Sequence, residues 1–397
     1  MTIPSILSAI AVPALLAWTL YPSFTSFPPP YSSRIASPID DASRERFPPF
    51  PPDLTGPYEP NELLKKHVTP LFRGRVDGAE SVAVAPGGTL IMLDRYGYVH
   101  RAREIDGAYK LFEDGPPIYV GPGRPLGFHV ADAGRTLLVC DSLKGLTEVD
   151  LRAGSVSVLS NSDSSGTPIN YANDLDVAAD GTVYFTSSTL GVVSYSDKYG
   201  YYDTMRSFLL NMMSGDRSGR LLAYHPKTKS TMQVMDDIWY ANGVTLSHDG
   251  DSVLVVETMG FRVLKHHLRG PKRGQTETLI DKLPGFPDGI SRSSDGNYWL
   301  PLVAPLSPLL RTLGWGDAAR HAVARLLTTE SVTKRVVKSW GCVLKVSPEG
   351  EVLATLMDPR GETLSTVSSV TEHDGRLFLG NLKGDFVSVV SLKDAGM

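Results

Sequence analysis

One loop-and-strand unit recurs along this chain, and four times it opens with an oxygen-bearing side chain at the same place. The four segments read Gly78-Ala79-Glu80-Ser81, Tyr171-Ala172-Asn173-Asp174, Tyr240-Ala241-Asn242-Gly243 and Phe286-Pro287-Asp288-Gly289. Each leads into an alternation of apolar and polar residues, a turn, and a second alternation, the pattern of paired half-buried strands. Asp180-Gly181, Asp249-Gly250, Asp295-Gly296 and Asp374-Gly375 supply hairpin turns, because these residues tolerate positive φ. The step from Glu80 to Leu126 is 46 residues, from Leu126 to Asn173 is 47, and from Asn242 to Asp288 is 46. Asn173 to Asn242 is longer, at 69, with the excess in Ser194–Ser218. A last unit opens at Ser368, its excess in Pro301–Trp340. Six units therefore start near Glu80, Leu126, Asn173, Asn242, Asp288 and Ser368.

A period in the mid-forties with several short strands is the size of one propeller blade. The expected fold class is all-β: a six-bladed β-propeller with an N-terminal membrane-anchor helix and two partly helical insertions, near 194–218 and 301–340. A β-sandwich would have no reason to repeat its loop chemistry six times. In a radial array equivalent positions converge on the axis. Glu80, Asn173, Asn242 and Asp288 would bring two carboxylates and two amide carbonyls there, a donor set that suits one central Ca2+.

Net charge is −4 and the isoelectric point about 6.2. With no basic stripe, no nucleic-acid partner is expected. The two cysteines, Cys140 and Cys342, sit in apolar strand-like runs and read as core positions, with a disulfide left open. The first charged side chain is Arg34, and Ile3–Phe24 is nearly all apolar or small, long enough to span a bilayer. Residues 1–26 read as a single-pass signal anchor, with a cleaved signal peptide as the alternative. Residues 27–62 form a Pro-rich tether and 63–397 the propeller. Arg34 and Arg44 after the span would place the bulk in the cytosol.

Gly123-Arg124-Pro125-Leu126-Gly127, Tyr171-Ala172-Asn173-Asp174, Gly219-Arg220-Leu221-Leu222, Leu283-Pro284-Gly285-Phe286-Pro287-Asp288-Gly289 and Glu372-His373-Asp374-Gly375 together resemble the strictosidine synthase-like family. The resemblance runs from about Leu71 to Val390. The N-terminal span is similar to that of the adipocyte plasma membrane-associated branch, which implies a propeller in the endomembrane lumen or outside the cell. The family is related in fold to paraoxonases and gluconolactonases, which implies six blades.

That resemblance carries two chemistries. Strictosidine synthase condenses an amine with an aldehyde using a glutamate just upstream of the last His-Asp-Gly turn. Here that stretch is Ser368-Ser369-Val370-Thr371, and serine does not supply acid–base catalysis near neutral pH. The paraoxonase and gluconolactonase side implies a catalytic calcium held by Glu80, Asn173, Asn242 and Asp288, polarising an ester or lactone carbonyl. It implies Asp288 and Asn173 as catalytic ligands, with Asp288 also a candidate base. The paraoxonase histidine position falls at Leu126, so the base stays open; His129 lies three residues on. Asp174 is expected to orient Asn173 from behind.

The reading is a calcium-dependent arylesterase or lactonase acting on small hydrophobic esters or lactones. A non-catalytic calcium-stabilised propeller that binds a lipid or partner is the alternative, and an amine–aldehyde condensing enzyme the third. His129, His225, His248, His266 and His267 read as surface or edge histidines, and His373 as a further site candidate. The Tyr-rich segment Ser194–Ser218 would either wall a hydrophobic pocket or pack on the propeller side. The basic, amphipathic Leu306–Trp340 would cover the pocket, lie on a membrane, or simply pack.

Overall fold

The apolar/polar alternations after each repeated segment form the inner strands of separate antiparallel sheets. In the computed structural model, residues 54–112, 115–307, 309–310, 323 and 327–397 are described. They build six blades. Blade 1 runs outward from Val82–Ala85 through Thr89–Leu93 and Val99–Ile105 to Ala108–Phe112. Blades 2, 3 and 4 start from Pro125–Ala131, Ala172–Val177 and Ala241–Leu246 and repeat that order. Blade 5 has a broken inner strand, Gly285–Pro287 and Ser291–Arg292, paired on Tyr298–Pro305. The second strand thus includes Pro301–Pro305, so the second insertion begins later than the sequence suggested.

Blade 6 is closed by the front of the chain. Its inner three strands are Val367–His373, Arg376–Asn381 and Val387–Ser391, and its outer strand is Val68–Leu71. Val68 pairs with Val390 and Leu71 with Val387. The front of the chain is thereby hydrogen-bonded to its last strand, which ties the ring closed. A short helix, α1 (Leu63–His67), precedes this strand and buries Leu64 completely. Just upstream, Asn61 is held to blade 5: its amide donates to Thr355 O at 2.9 Å and its Oδ1 accepts from Met357 N at 3.0 Å.

Because side chains alternate faces along a strand, each blade presents an apolar surface to both neighbours. Ile91 and Leu93 of blade 1 meet Leu137 and Val139 of blade 2. Phe185 and Leu222 of blade 3 meet Cys140 and Leu146 of blade 2. Trp299 and Leu356 of blade 5 meet Val370 and Leu377 of blade 6. The core is a set of wedges between blades, and burying each such side chain contributes about 1.5–3 kcal/mol.

The inner strands are irregular where the sequence repeats. Register shifts fall between Pro125 and Phe128, Ala172 and Leu175, Ala241 and Val244, and Val367 and Val370. In each, two residues face one on the neighbouring strand, a β-bulge that bends the strand and re-aims its side chains. The bulged pairs are Leu126-Gly127, Asn173-Asp174, Asn242-Gly243 and Ser368-Ser369. Blades pack tightest here. Gly243 N donates to Asp288 O at 2.9 Å, and Gly289 N to Ser368 O at 2.9 Å. A Cβ on Gly243 would lie 2.5 Å from Asp288 O, so only glycine allows this approach.

Both insertions leave the same corner of their blades, between second and third strands. The first forms a small hairpin, Tyr195–Ser196 with Tyr201–Tyr202, and then helix α2 (Thr204–Ser214). The insertion is thus partly helical, as expected, with a hairpin ahead of the helix. Asp203 caps α2 by accepting from Arg206 N at 2.9 Å, and Gly215 ends it in the left-handed region. The second carries α3 (Thr329–Val336), capped by Thr328 accepting from Ser331 N. Its buried stripe is Val332 and Val336.

The expected anchor and most of the tether fall in residues 1–53, outside the described residues. Among the described residues no helix is long and apolar enough to cross a membrane. Cys140 and Cys342 are buried and both are free thiols, so the open disulfide is not formed.

Candidate functional site

Bulges aim Asn173 and Asn242, and the segments flanking the inner strands of blades 1 and 5 bring Glu80 and Asp288, so that all four line one cavity. They are 6 %, 3 %, 5 % and 3 % exposed, which makes this a desolvated polar cluster. Leu126 occupies the equivalent place in blade 2 and lines the same cavity, as the repeat register implies. Ser368 keeps the axial register in blade 6 but turns its hydroxyl to the Glu80 carbonyl at 2.6 Å.

Hydrogen-bond direction fixes the two amides. Asn173 Nδ2 lies 3.0 Å from Ser188 Oγ, and Asn242 Nδ2 lies 3.1 Å from Thr258 Oγ1. Ser188 already donates to Ala241 O at 2.7 Å, and Thr258 to Pro287 O at 2.8 Å. A hydroxyl has one proton, so each can only accept from its asparagine. Each amide nitrogen therefore has a fixed acceptor, which settles which end of the amide is nitrogen and leaves the carbonyl oxygens unengaged. Ser188 and Thr258 were missed by the sequence reading. The signal was present: they follow their asparagines by 15 and 16 residues, at the ends of equivalent second strands.

The carboxylates are under-satisfied. Glu80 Oε2 and Asp288 Oδ2 are buried with no hydrogen-bond partner among the described residues. Burial raises the Glu80 carboxyl well above the ordinary range. The Asp288 charge adds to that shift, and Arg124 opposes it. Burial likewise raises Asp288, against a hydrogen bond from Asn242 and with a push from Asp174. Two buried carboxylates with raised pKa and orphaned oxygens, and two fixed amide carbonyls beside them, fit a hard cation. The donors are all oxygen. They lack the imidazole and thiolate ligands typical of zinc sites.

Asp174 does not orient Asn173 as expected. Its Oδ2 accepts from Val244 N at 3.1 Å across the blade junction, and burial pushes its carboxyl up to about 7. The bulge explains the difference: consecutive bulged residues point apart, so Asp174 faces the polar channel below the axial cluster. That channel is also lined by His129, Asp176 and Arg292. Asp176 is tied to Arg292 at 3.1 Å.

On the other side the cavity is apolar. Tyr171, Phe208, Tyr240, Phe286 and Val337 wall a space of about 510 Å³ including its open mouth. Phe208 comes from α2, and Val337 from the residue ending α3. Both insertions therefore wall the pocket, resolving alternatives the sequence left open. Tyr240 donates to Tyr171 Oη at 2.8 Å and holds φ at 65°, a strained value for a bulky side chain. Among the described residues no histidine lines this cavity.

Three other expected positions lie elsewhere. His373 ends its strand at the opposite rim, where it meets Asp374 at 3.3 Å and lines a groove with Arg376; it is not an axial residue. His266 is 8 % exposed with Thr276 at 2.9 Å, so it is buried rather than a surface histidine. Glu372 sits beside His373, far from the bulge, and accepts from Trp299 Nε1 at 2.6 Å and Ser293 Oγ at 2.7 Å.

Comparison with known proteins agrees with this architecture. A family model described as strictosidine synthase matches residues 173–271. The chain is 33 % identical over 375 residues to the adipocyte plasma membrane-associated protein of Rattus norvegicus, covering 90 % of this chain and 94 % of that one. It is 29 % identical over 382 residues to strictosidine synthase-like 3 of Arabidopsis thaliana, covering 89 % and 95 %. In fold it is similar to a gluconolactonase from Xanthomonas campestris, at TM-score 0.56 and 18 % identity, covering 87 % and 97 %. A luciferin-regenerating enzyme is similar too, at TM-score 0.53 and 14 % identity, covering 81 % and 95 %. Full-length similarity on this scale, over the propeller that carries the axial cluster, makes the chain a member of the strictosidine synthase-like family, in its adipocyte plasma membrane-associated protein branch.

Proposed function

We propose that this protein is a calcium-dependent hydrolase of esters or lactones of small hydrophobic molecules. One observation carries the reading: four oxygen donors from four blades converge, two with orphaned carboxylate oxygens, at the floor of an aromatic-walled cavity. Glu80, Asn173, Asn242 and Asp288 would hold the ion, which when bound supplies a Lewis acid for the substrate carbonyl. Phe208, Phe286 and Val337 exclude water and seat the apolar part of the substrate. Asp288 is the candidate base: its Oδ2, free of hydrogen bonds, accepts a proton from the attacking water. Asn173 and Asn242 keep their carbonyls presented because Ser188 and Thr258 lock their amides. The names of the fold neighbours, a gluconolactonase among them, support this chemistry.

A second reading has its own observation. The described cavity wall is apolar and aromatic apart from the axial donors and two threonines, which favours an ion that only rigidifies the axis of a binding propeller. The condensing reading is the weakest, because Glu372 is held by Trp299 and Ser293 away from the cavity. The relatives' description as plasma membrane-associated supports a membrane-tethered protein, with the propeller in the endomembrane lumen or outside the cell.

The deciding experiment is hydrolysis of an aryl ester and lactone panel by the full chain, with calcium and with chelator. Turnover that needs calcium and disappears in Asp288→Ala, with folding intact, supports the hydrolase. Stoichiometric calcium binding without turnover of any panel member moves the assignment to the binding propeller.

A further inference from the structure

The apolar cavity opens past Thr204, Met205 and Leu382 into a second groove. Five cationic side chains line that groove: Arg95, Arg124, Arg206, Lys334 and Lys383. Two carboxylates, Asp203 and Glu330, line it as well, and both are engaged. Asp203 caps α2, and Glu330 pairs with Lys198 at 3.3 Å and Lys334 at 3.2 Å. Arg95 is tied on one side to Asp77 at 2.9 Å and to Leu382 O at 3.1 Å.

What remains is donor capacity without an acceptor. Arg124 is 3 % exposed; its Nη2 donates to Gly78 O at 2.7 Å, while Nη1 is buried with no partner. Arg95 Nε is buried and unpartnered too. Among the described residues no carboxylate lies within ion-pair distance of Lys383 or Arg206; Arg206 reaches only Ser194 Oγ, at 3.1 Å. A buried guanidinium N–H without an acceptor is costly. Two of them at the mouth of one pocket mark a place that a ligand completes.

We propose that the groove is an anion subsite, and that the cavity's ligand is an amphiphilic carboxylic acid. Its apolar body fills the space walled by Phe208, Phe286 and Val337, and its carboxylate lies among Arg95, Arg124, Arg206 and Lys383. Guanidinium forks match a carboxylate with two parallel hydrogen bonds. Shape and charge agree, since the apolar wall and the cationic mouth are continuous through Thr204, Met205 and Leu382. This deepens the hydrolase reading by naming its substrates as esters or lactones that also carry a free acid. It rests on that reading only for the step after binding.

The test uses the full chain and a fluorescent probe, 11-(dansylamino)undecanoic acid, against its methyl ester. Titrations are run with calcium and with chelator. The acid is expected to bind at least tenfold more tightly than the ester, in both conditions, and the preference to weaken with added salt. Lys383→Glu and Arg206→Glu, both outside the core, are each expected to cut the acid-over-ester ratio several-fold. Equal affinity for acid and ester, or a ratio that neither variant moves, overturns the subsite. A preference that vanishes with chelator also overturns it, because the head group would then sit on the axial ion. Ester turnover is scored separately, so that acid-selective binding without calcium-dependent turnover keeps the subsite and removes the hydrolase reading.

Discussion

Asn242 donates its side-chain amide N–H to Thr258 Oγ1 over 3.1 Å, and the Thr258 hydroxyl in turn donates a hydrogen bond to the Pro287 carbonyl at 2.8 Å. This pair of bonds fixes the amide and leaves the Asn242 carbonyl unengaged. Thr258→Val keeps the shape and removes the acceptor. Calcium affinity, measured by titration calorimetry, is expected to fall about 10–100-fold, the usual effect of removing a group that orients a ligand. Thr258→Ser should restore most of it. Unchanged affinity in the valine variant would show that the amide needs no such support.

Without a cation the axial carboxylates destabilise the fold. Burial raises the folded-state pKa of both Glu80 and Asp288 above their unfolded values. The folded state then binds more protons at these two sites, so their contribution to stability is most favourable below the ordinary carboxylate range and falls as pH rises through the raised values. Chelated protein is expected to melt at lower temperature at pH 8 than at pH 6, and calcium to reverse the trend. Glu80→Gln with Asp288→Asn should flatten the chelated profile. A flat profile in the unsubstituted protein would mean that the two carboxylates are solvated.

Val337 fills one wall of the cavity and is 7 % exposed. Val337→Phe narrows the space at a cost of about 1–3 kcal/mol from overpacking. Michaelis constants for bulky aryl esters are expected to rise about tenfold, with small acyl esters and calcium affinity little changed. An equal effect on small and bulky substrates would place the substrate elsewhere.

Glu372 joins blades 5 and 6 through Trp299 Nε1 and the Ser293 hydroxyl. Burial opposes ionisation there, but the hydrogen bonds outweigh it and hold the carboxyl below its usual pKa. Its contribution is present above the unfolded pKa and lost as pH falls through the lowered value. Glu372→Gln is expected to cost about 1.5–3 kcal/mol of stability, read by denaturant unfolding, with hydrolysis untouched. Lost turnover at full stability would instead make Glu372 a working catalytic group.

Much of the fold was legible because a propeller is written as a repeat. The spacing of Glu80, Leu126, Asn173, Asn242, Asp288 and Ser368 marks the inner-strand positions that line the axis. The irregularities that do the aiming were invisible, because a bulge is set by register between two strands and leaves no fixed residue type. That is why Asp174 was placed behind Asn173 and instead faces Val244. His373 was misplaced for a related reason: it ends the strand that begins at Val367, so it lies at the far rim from the axial cluster.

By itself the sequence determined the number of blades, the side chains available at the axis and the two places where extra chain leaves the ring. These depend on local period and residue type, which the chain states directly. The tertiary structure alone decided that Val68–Leu71 closes blade 6, and that both insertions wall one cavity. It also decided which ends of Asn173 and Asn242 remain free. The contacts responsible join residues remote along the chain, such as the Ser368 hydroxyl on Glu80 O, 288 positions apart. Hydrogen-bond direction and pocket shape follow from the closed ring, and only folding brings those partners together.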